Sequence, residues 1–184
     1  MIARVPYNPI KNDLYLNIIC DGNGNQYCQN AENEVCPYLM KLIPQEMLYY
    51  CHVAPNAKIT IHRGHKDGPT IATAVPCFLN NGATDLHFKE PHSTVHLKHV
   101  YKKGFPTKTQ FTINGVKYHW EEENELLQTK TGTVAAQFYR SEHLDDESEH
   151  LLGKLIVKER TQHLMEIAVI TAFIAQARCA ERHA

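Results

Sequence analysis

Residues Leu164 to Ala180 read LMEIAVITAFIAQARCA, and this stretch decides the fold. From Ile167 to Ala175 every residue is apolar except Thr171. A helix on a protein surface carries one apolar stripe and one wet face. This one is apolar around nearly its whole circumference. It falls short of the roughly 20 apolar residues that a bilayer span requires, and Glu166, Gln176 and Arg178 sit at its ends. The pattern predicts a single helix over Leu164–Cys179 that the rest of the protein encloses. Ile167, Ile170, Phe173 and Ile174 are expected to be almost fully buried.

The chain upstream supplies the wrapping, because it reads mostly as short strands. Leu14–Cys20 alternates Leu14, Leu16, Ile18 and Cys20 against Tyr15, Asn17 and Ile19, the period of a strand. Asp21–Asn25 (DGNGN) is a turn, and Gln26–Gln29 the returning strand. Further strands are expected at Met47–Val53, Lys58–Arg63, Thr70–Val75, Asp85–Lys89 and Thr94–Tyr101. The clearest hairpin joins Gln110–Ile113 to Val116–Glu121 through Asn114-Gly115, the pair that supplies both positive-φ positions of a type I′ turn. Glu125–Thr129, Thr133–Arg140 and Leu152–Lys158 follow. The acidic stretch Ser141–His150 is expected to be a solvated loop, and a short helix is expected near Cys36–Leu42. Strands followed by one buried helix leave no βαβ alternation, which excludes a parallel nucleotide-binding sheet.

At 184 residues, with 43% hydrophobic and 21% charged residues, the chain is one globular domain with room for a substantial core. Its formal net charge of −1 gives no ground for a nucleic-acid partner. The N-terminus, MIARVPYNPIKNDLY, carries no apolar export segment, so a cytoplasmic location is expected. The six cysteines (Cys20, Cys28, Cys36, Cys51, Cys77 and Cys179) are then expected to be reduced thiols.

The order of elements resembles the tubby C-terminal-like superfamily. It is most similar to small tubby-like domains found mostly in fungi, relatives of the LURP-one-related and phospholipid scramblase proteins. The residues carrying the resemblance are Ile61–Ala72 (IHRGHKDGPTIA), Phe111–Trp120 (FTINGVKYHW), Thr133–Tyr139 (TVAAQFY), Gly153–Val157 (GKLIV) and Glu166–Arg182 (EIAVITAFIAQARCAER). Tyr118 and Trp120 match that family's aromatic Tyr-x-Trp after an Asn/Asp-Gly turn. The resemblance covers roughly Met47 to the C-terminus. It implies a closed antiparallel β-barrel of about twelve strands around a buried hydrophobic C-terminal α-helix. The chain shows no equivalent of the paired basic residues with which tubby proteins hold a phosphoinositide headgroup. It also has no acidic calcium segment and no cysteine cluster of the scramblase type.

Chemistry-bearing motifs are sparse. Among the 12 histidines, His92, His96 and His99 form the densest group. On the strand expected there, His92 and His96 stand roughly 13 Å apart, too far for one zinc ion. The barrel histidines are therefore read as solvent-facing. Asp21, Asn23, Asn25 and Glu32 have the spacing of a calcium loop, but Gln26 occupies the position that needs glycine, which favours a plain turn. The serines Ser93, Ser141 and Ser148 lie in no G-x-S-x-G motif. Cys51 and His52 are strand neighbours and point to opposite faces. Nothing points to a catalytic residue, a metal site or a cofactor.

Charge distribution gives the one positive signal. No acidic residue occurs between Glu90 and Glu121, while Lys98, Lys102, Lys103, Lys108 and Lys117 do. If the chain around Tyr101–Lys108 forms a hairpin, Lys102, Lys103 and Lys108 gather at one end of the barrel, a seat for an anionic headgroup. The expectation is a non-enzymatic binding domain for anionic phospholipid at a membrane surface. The alternative is a structural or protein-interaction module with no small ligand.

Overall fold

The computed structural model describes residues 13–31, 46–76, 82–102, 105–122, 124–141 and 150–181, with side chains for all of these except 101, 102, 105, 106, 150 and 177–181. The helix expected near Cys36–Leu42 and residues 142–149 of the acidic stretch lie outside the described residues.

Twelve antiparallel strands close into a barrel. They are β1 (Leu14–Cys20), β2 (Gln26–Asn30), β3 (Met47–Val53), β4 (Ile59–Arg63), β5 (Thr70–Ala74) and β6 (Ala83–Phe88). Then come β7 (Ser93–Lys102), β8 (Phe105–Ile113), β9 (Val116–Glu121), β10 (Glu125–Gln128), β11 (Val134–Arg140) and β12 (His150–Val157). Each strand pairs with its neighbour in sequence, and β1 closes the ring on β12. Closure removes the open edges that an apolar sheet would otherwise expose to other chains. The β8–β9 hairpin turns as its sequence dictates, with φ of 49° at Asn114 and 77° at Gly115.

A 3-10 turn (Glu159–Leu164) carries the chain from β12 into the helix α1 (Met165–Glu181). Lys158 Nζ pairs with Asp13 Oδ2 at 3.1 Å, and Asp13 Oδ1 accepts from the Glu159 amide, which ties this turn to the start of β1. Every residue from Ile167 to Gln176 is buried, so no face of this part of the helix meets water. Its hydrogen bonds show why. Trp120 on β9 donates to Thr171 Oγ1 at 2.8 Å, and Gln26 on β2 donates to the Phe173 carbonyl at 3.1 Å. These two strands lie far apart around the ring, so the helix runs through the lumen. Inward residues of successive strands pack around it, among them Leu16, Ile18, Ile59, Ile61, Leu86, Leu97, Phe111 and Leu155. The barrel is thus filled by its own C-terminus, which explains the apolar circumference read in the sequence.

The helix direction defines two rims. Glu166, in its first turn, accepts from Arg63 at 3.0 Å and from the Tyr49 hydroxyl at 3.3 Å, at the lower rim where β4 ends. Phe173 meets Gln26 at the opposite rim, where β2 begins. That upper rim also holds the ends of β5, β7, β9 and β11, because alternate strands run the same way.

Several boundaries differ from the sequence reading. β8 starts at Phe105 rather than Gln110, because pairing with β7 and β9 overrides the broken alternation around Pro106 and Lys108. β6 begins at Ala83, two residues before Asp85. The helix starts at Met165, with Leu164 in the 3-10 turn. In β1 the expected alternation fails at Asn17, which is only 5% exposed although both its neighbours Leu16 and Ile18 face the core. Period-2 reasoning assumes that a strand's outer face meets solvent. Here that face is covered, as it is on β12 at Ile156, 7% exposed.

Candidate functional site

The lysines singled out by the sequence all belong to the β7–β8 hairpin or the connection at its tip. Lys98 is exposed on the outer face of β7, opposite Gln110. Lys108 lies diagonally from it on β8, opposite Val100. Lys102 is the last residue of β7, opposite Phe105, so the expected hairpin is formed. Lys103 lies outside the described residues. One expectation needs correcting. Lys108 does not lack a compensating acid, because its Nζ sits 3.0 Å from Glu121 Oε2 across the β8–β9 pair. The same carboxylate oxygen lies 3.2 Å from His119 Nε2, and His119 Nδ1 lies 2.9 Å from Thr129 Oγ1. Sequence distance hid this partnership, since Glu121 follows the acid-free stretch but returns beside it through the Asn114-Gly115 turn.

Among the described residues, the β7–β8 pairing continues further toward the upper rim than the pairing of its flanking strands. β6 joins β7 only as far as Ala83 opposite Lys98, with one more backbone bond from the His99 amide to the Gly82 carbonyl. β9 joins β8 only from Glu121 opposite Lys108, with one more bond from the Glu122 amide to the Thr107 carbonyl. The pairs Tyr101–Pro106 and Lys102–Phe105 have no lateral strand partner among the described residues. Val75 follows β5 at the same rim and is 62% exposed, the most exposed large apolar side chain among the described residues.

Acidic residues are unevenly spread along the sequence, although Asp85 on β6 is exposed and pairs with His96 of β7. Residues 68–84 and 91–120, which span β5 and β7–β8, contain no Asp or Glu. Nine of the chain's 20 acidic residues fall within 121–149, and of these the described Glu121, Glu122 and Glu125 lie where β9 ends and β10 begins. A shallow groove of about 470 Å³ opens there between β9, β10 and β11, lined by Glu121, Glu122, Glu125, Gln137, Tyr139 and the cationic Arg140. Gln137 Nε2 donates to Glu125 Oε1 at 2.9 Å, and Tyr139 is 41% exposed. The sequence reading missed the exposure of Val75, because it depends on where β5 leaves the sheet.

The histidines divide in a way that strand alternation only half anticipated. His96 is exposed, with Nδ1 2.6 Å from Asp85 Oδ1. His99 is fully buried and His119 is 9% exposed, so the reading of all barrel histidines as solvent-facing is corrected. His99 Nε2 lies 2.8 Å from Thr84 Oγ1 and Nδ1 lies 3.1 Å from Thr109 Oγ1. Threonines on the two flanking strands thus satisfy a ring that the pleat turns inward. The Asp21 turn is a hairpin turn. Asp21 Oδ1 accepts from the Asn23 and Asn25 amides, each at 2.9 Å, and Asn25 Nδ2 reaches Oδ2 at 3.1 Å. Among the described residues no group of three or more His, Cys, Asp or Glu is arranged to hold a metal ion.

Cys20, Cys28 and Cys51 are free thiols. Burial pushes the thiols of Cys28 and Cys51 far up, which disfavours the nucleophilic thiolate. Cys51 faces the core while His52 is exposed and holds Asn25 Oδ1 at 2.9 Å, so the two side chains do point apart. Among the described residues no helix is long and apolar enough to cross a membrane. Comparison of the chain with protein-family models, with curated proteins and with solved structures finds no match.

Proposed function

We propose that this barrel is a non-enzymatic binding domain that docks on anionic phospholipid headgroups, at the cytoplasmic face of a membrane, through the lysines of the β7–β8 hairpin. The observation that carries the reading is the acid-free hairpin, with Lys98 and Lys102 on one strand and Lys108 diagonal to Lys98 on the next. The lumen is filled by α1, so a ligand is to be sought on the outside of the barrel. The resemblance to tubby-like domains supports the same class of function. Each lysine held near an anionic surface is worth about 1 kcal/mol, so three or four give weak attachment that fades with salt.

The test is sedimentation with vesicles of phosphatidylcholine alone and of phosphatidylcholine with phosphatidylserine or phosphoinositide, at low and high salt. Wild type should sediment with the anionic vesicles at low salt. The Lys98→Glu/Lys102→Glu/Lys103→Glu/Lys108→Glu variant should stay in solution with an unchanged melting temperature. Wild type that ignores anionic vesicles would overturn the proposal.

A second reading, a protein-interaction module, is favoured by the acidic groove beside the exposed Tyr139 on the other side of the rim. A partner captured equally well by wild type and the lysine variant would favour it.

A further inference from the structure

Resting on that reading of the lysines as the membrane contact, we infer that the contact is controlled by protons. The outer face of β6–β7, which adjoins Lys98, joins the anionic bilayer surface once His87, His92 and His96 carry charge. It withdraws when they are neutral.

The strands place these groups side by side. β6 and β7 pair Asp85 with His96 and His87 with Thr94, and all four side chains are exposed on the outer face. Lys98 follows His96 on the same face, about 7 Å further along β7. His92 stands exposed in the turn that joins the two strands.

The fixed charges around these histidines cancel. The strand pair carries Asp85 and Lys98, and the turn carries Lys89 and Glu90 beside His92. Against β6, the neighbouring β5 (TIATA) brings no titratable side chain. The 77–81 connection (CFLNN) contains no Asp, Glu, His, Lys or Arg. On the other flank, β8 carries the neutral, exposed Gln110 and Thr112, and then Lys108, which Glu121 already holds at 3.0 Å. With neutral histidines, Asp85 therefore offsets the attraction of Lys98 for lipid phosphates. An exposed histidine passes from neutral to charged between about pH 7.5 and pH 5.5. Charging His87, His92 and His96 adds three positive charges to a face whose fixed charges sum to zero.

His96 has a second part in the change. Its Nδ1 lies 2.6 Å from Asp85 Oδ1, and the two side chains keep 73% and 51% of their surface in solvent, so both reach a facing bilayer. Asp85 is the one acidic residue on β6 and β7. A charged His96 cancels it while His87 and His92 add attraction.

The test is sedimentation of the full chain with vesicles of phosphatidylcholine and phosphatidylglycerol, a lipid whose charge is constant over this range, at about pH 7.5 and about pH 5.5. Wild type should bind about thirtyfold more tightly at the lower pH, the effect of two added cations at the surface. His87→Gln/His92→Gln/His96→Gln should keep the affinity at the higher pH and lose the gain. Asp85→Asn should bind about fivefold more tightly at the higher pH and gain less on acidification. Failure of wild type to bind at either pH overturns the headgroup reading and this inference together. Equal wild-type affinity at both, or a gain that survives in the triple histidine variant, overturns proton control alone and leaves the lysine contact standing. Binding at the lower pH that the four-lysine variant keeps and the histidine variant loses supports the histidine face and overturns the hairpin as the contact. Binding to polyglutamate but not to vesicles at the lower pH overturns the membrane as the partner. If the triple variant does not fold, Asp85→Asn decides the matter, and unchanged affinity at the higher pH then overturns proton control.

Discussion

Trp120 on β9 and Thr171 in the central helix share a hydrogen bond, Nε1 to Oγ1 at 2.8 Å, inside the barrel. Thr171 is the one polar interruption of an otherwise apolar run, and the bond accounts for it. Its hydroxyl accepts from the indole and donates to the Ile167 carbonyl at 2.7 Å, so neither polar group is buried unpaired. The pair also fixes how the helix is rotated and how deep it sits, which apolar contacts alone specify loosely.

Thr171→Val keeps the shape but leaves the buried indole N–H without an acceptor. The expected loss is about 1–3 kcal/mol in urea unfolding, with Thr171→Ser losing less. A Thr171→Val protein as stable as wild type would remove the bond from the account of helix placement.

Ile170 is fully buried at the middle of the helix. Ile170→Asp forces a carboxylate into a lumen without a cation to meet it among the described residues, and should abolish folding. Ile170→Val should fold and lose roughly 0.5–1.5 kcal/mol. Circular dichroism and thermal melts separate the two outcomes.

Gly153 on β12 leaves no space for a side chain. A Cβ there would collide with the Tyr139 carbonyl oxygen and stand 2.6 Å from the Phe138 ring. Gly153→Ala should lower stability by roughly 1–3 kcal/mol through overpacking, against a negligible effect at an exposed strand position. Chemical unfolding of Gly153→Ala beside wild type checks it.

Stability should decline in alkali. Burial raises the Cys28 and Cys51 thiols above their ordinary value of 9.0, and burial together with Glu166 pushes Tyr49 up to about 12 from 10.0. All three are neutral acids in the folded state, which therefore holds protons that the unfolded chain has already released. Their contribution is complete below the unfolded values and is lost as pH rises from about 9 through the folded ones. Urea midpoints should be flat to about pH 8 and then fall, with a shallower fall in Tyr49→Phe. Cys28 and Cys51 should also resist alkylation until the protein is unfolded, as peptide mass spectrometry would show.

Glu121 holds Lys108 at 3.0 Å and so restrains one of the hairpin's four lysines. Glu121→Gln should free it and raise affinity for phosphatidylserine vesicles by roughly fivefold, equivalent to about 1 kcal/mol per added lysine. Unchanged affinity would mean that Lys108 takes no part in the membrane contact.

The sequence by itself determined the architecture's plan. A helix apolar on every side must be enclosed, and short alternating segments separated by turns such as Asn114-Gly115 can enclose it only as a sheet. Both are local periodicities, so they survive without knowledge of any contact, and the closed barrel bears them out. Only the tertiary structure decided what depends on neighbours far apart in the chain. The pairing of β8 with β9 gave Lys108 its partner Glu121, and the threonines of β6 and β8 allowed His99 to be buried. Periodicity reports which way a side chain points along its own strand. It cannot report what stands across the sheet from it, because register and closure are set by the summed packing of all twelve strands around the helix.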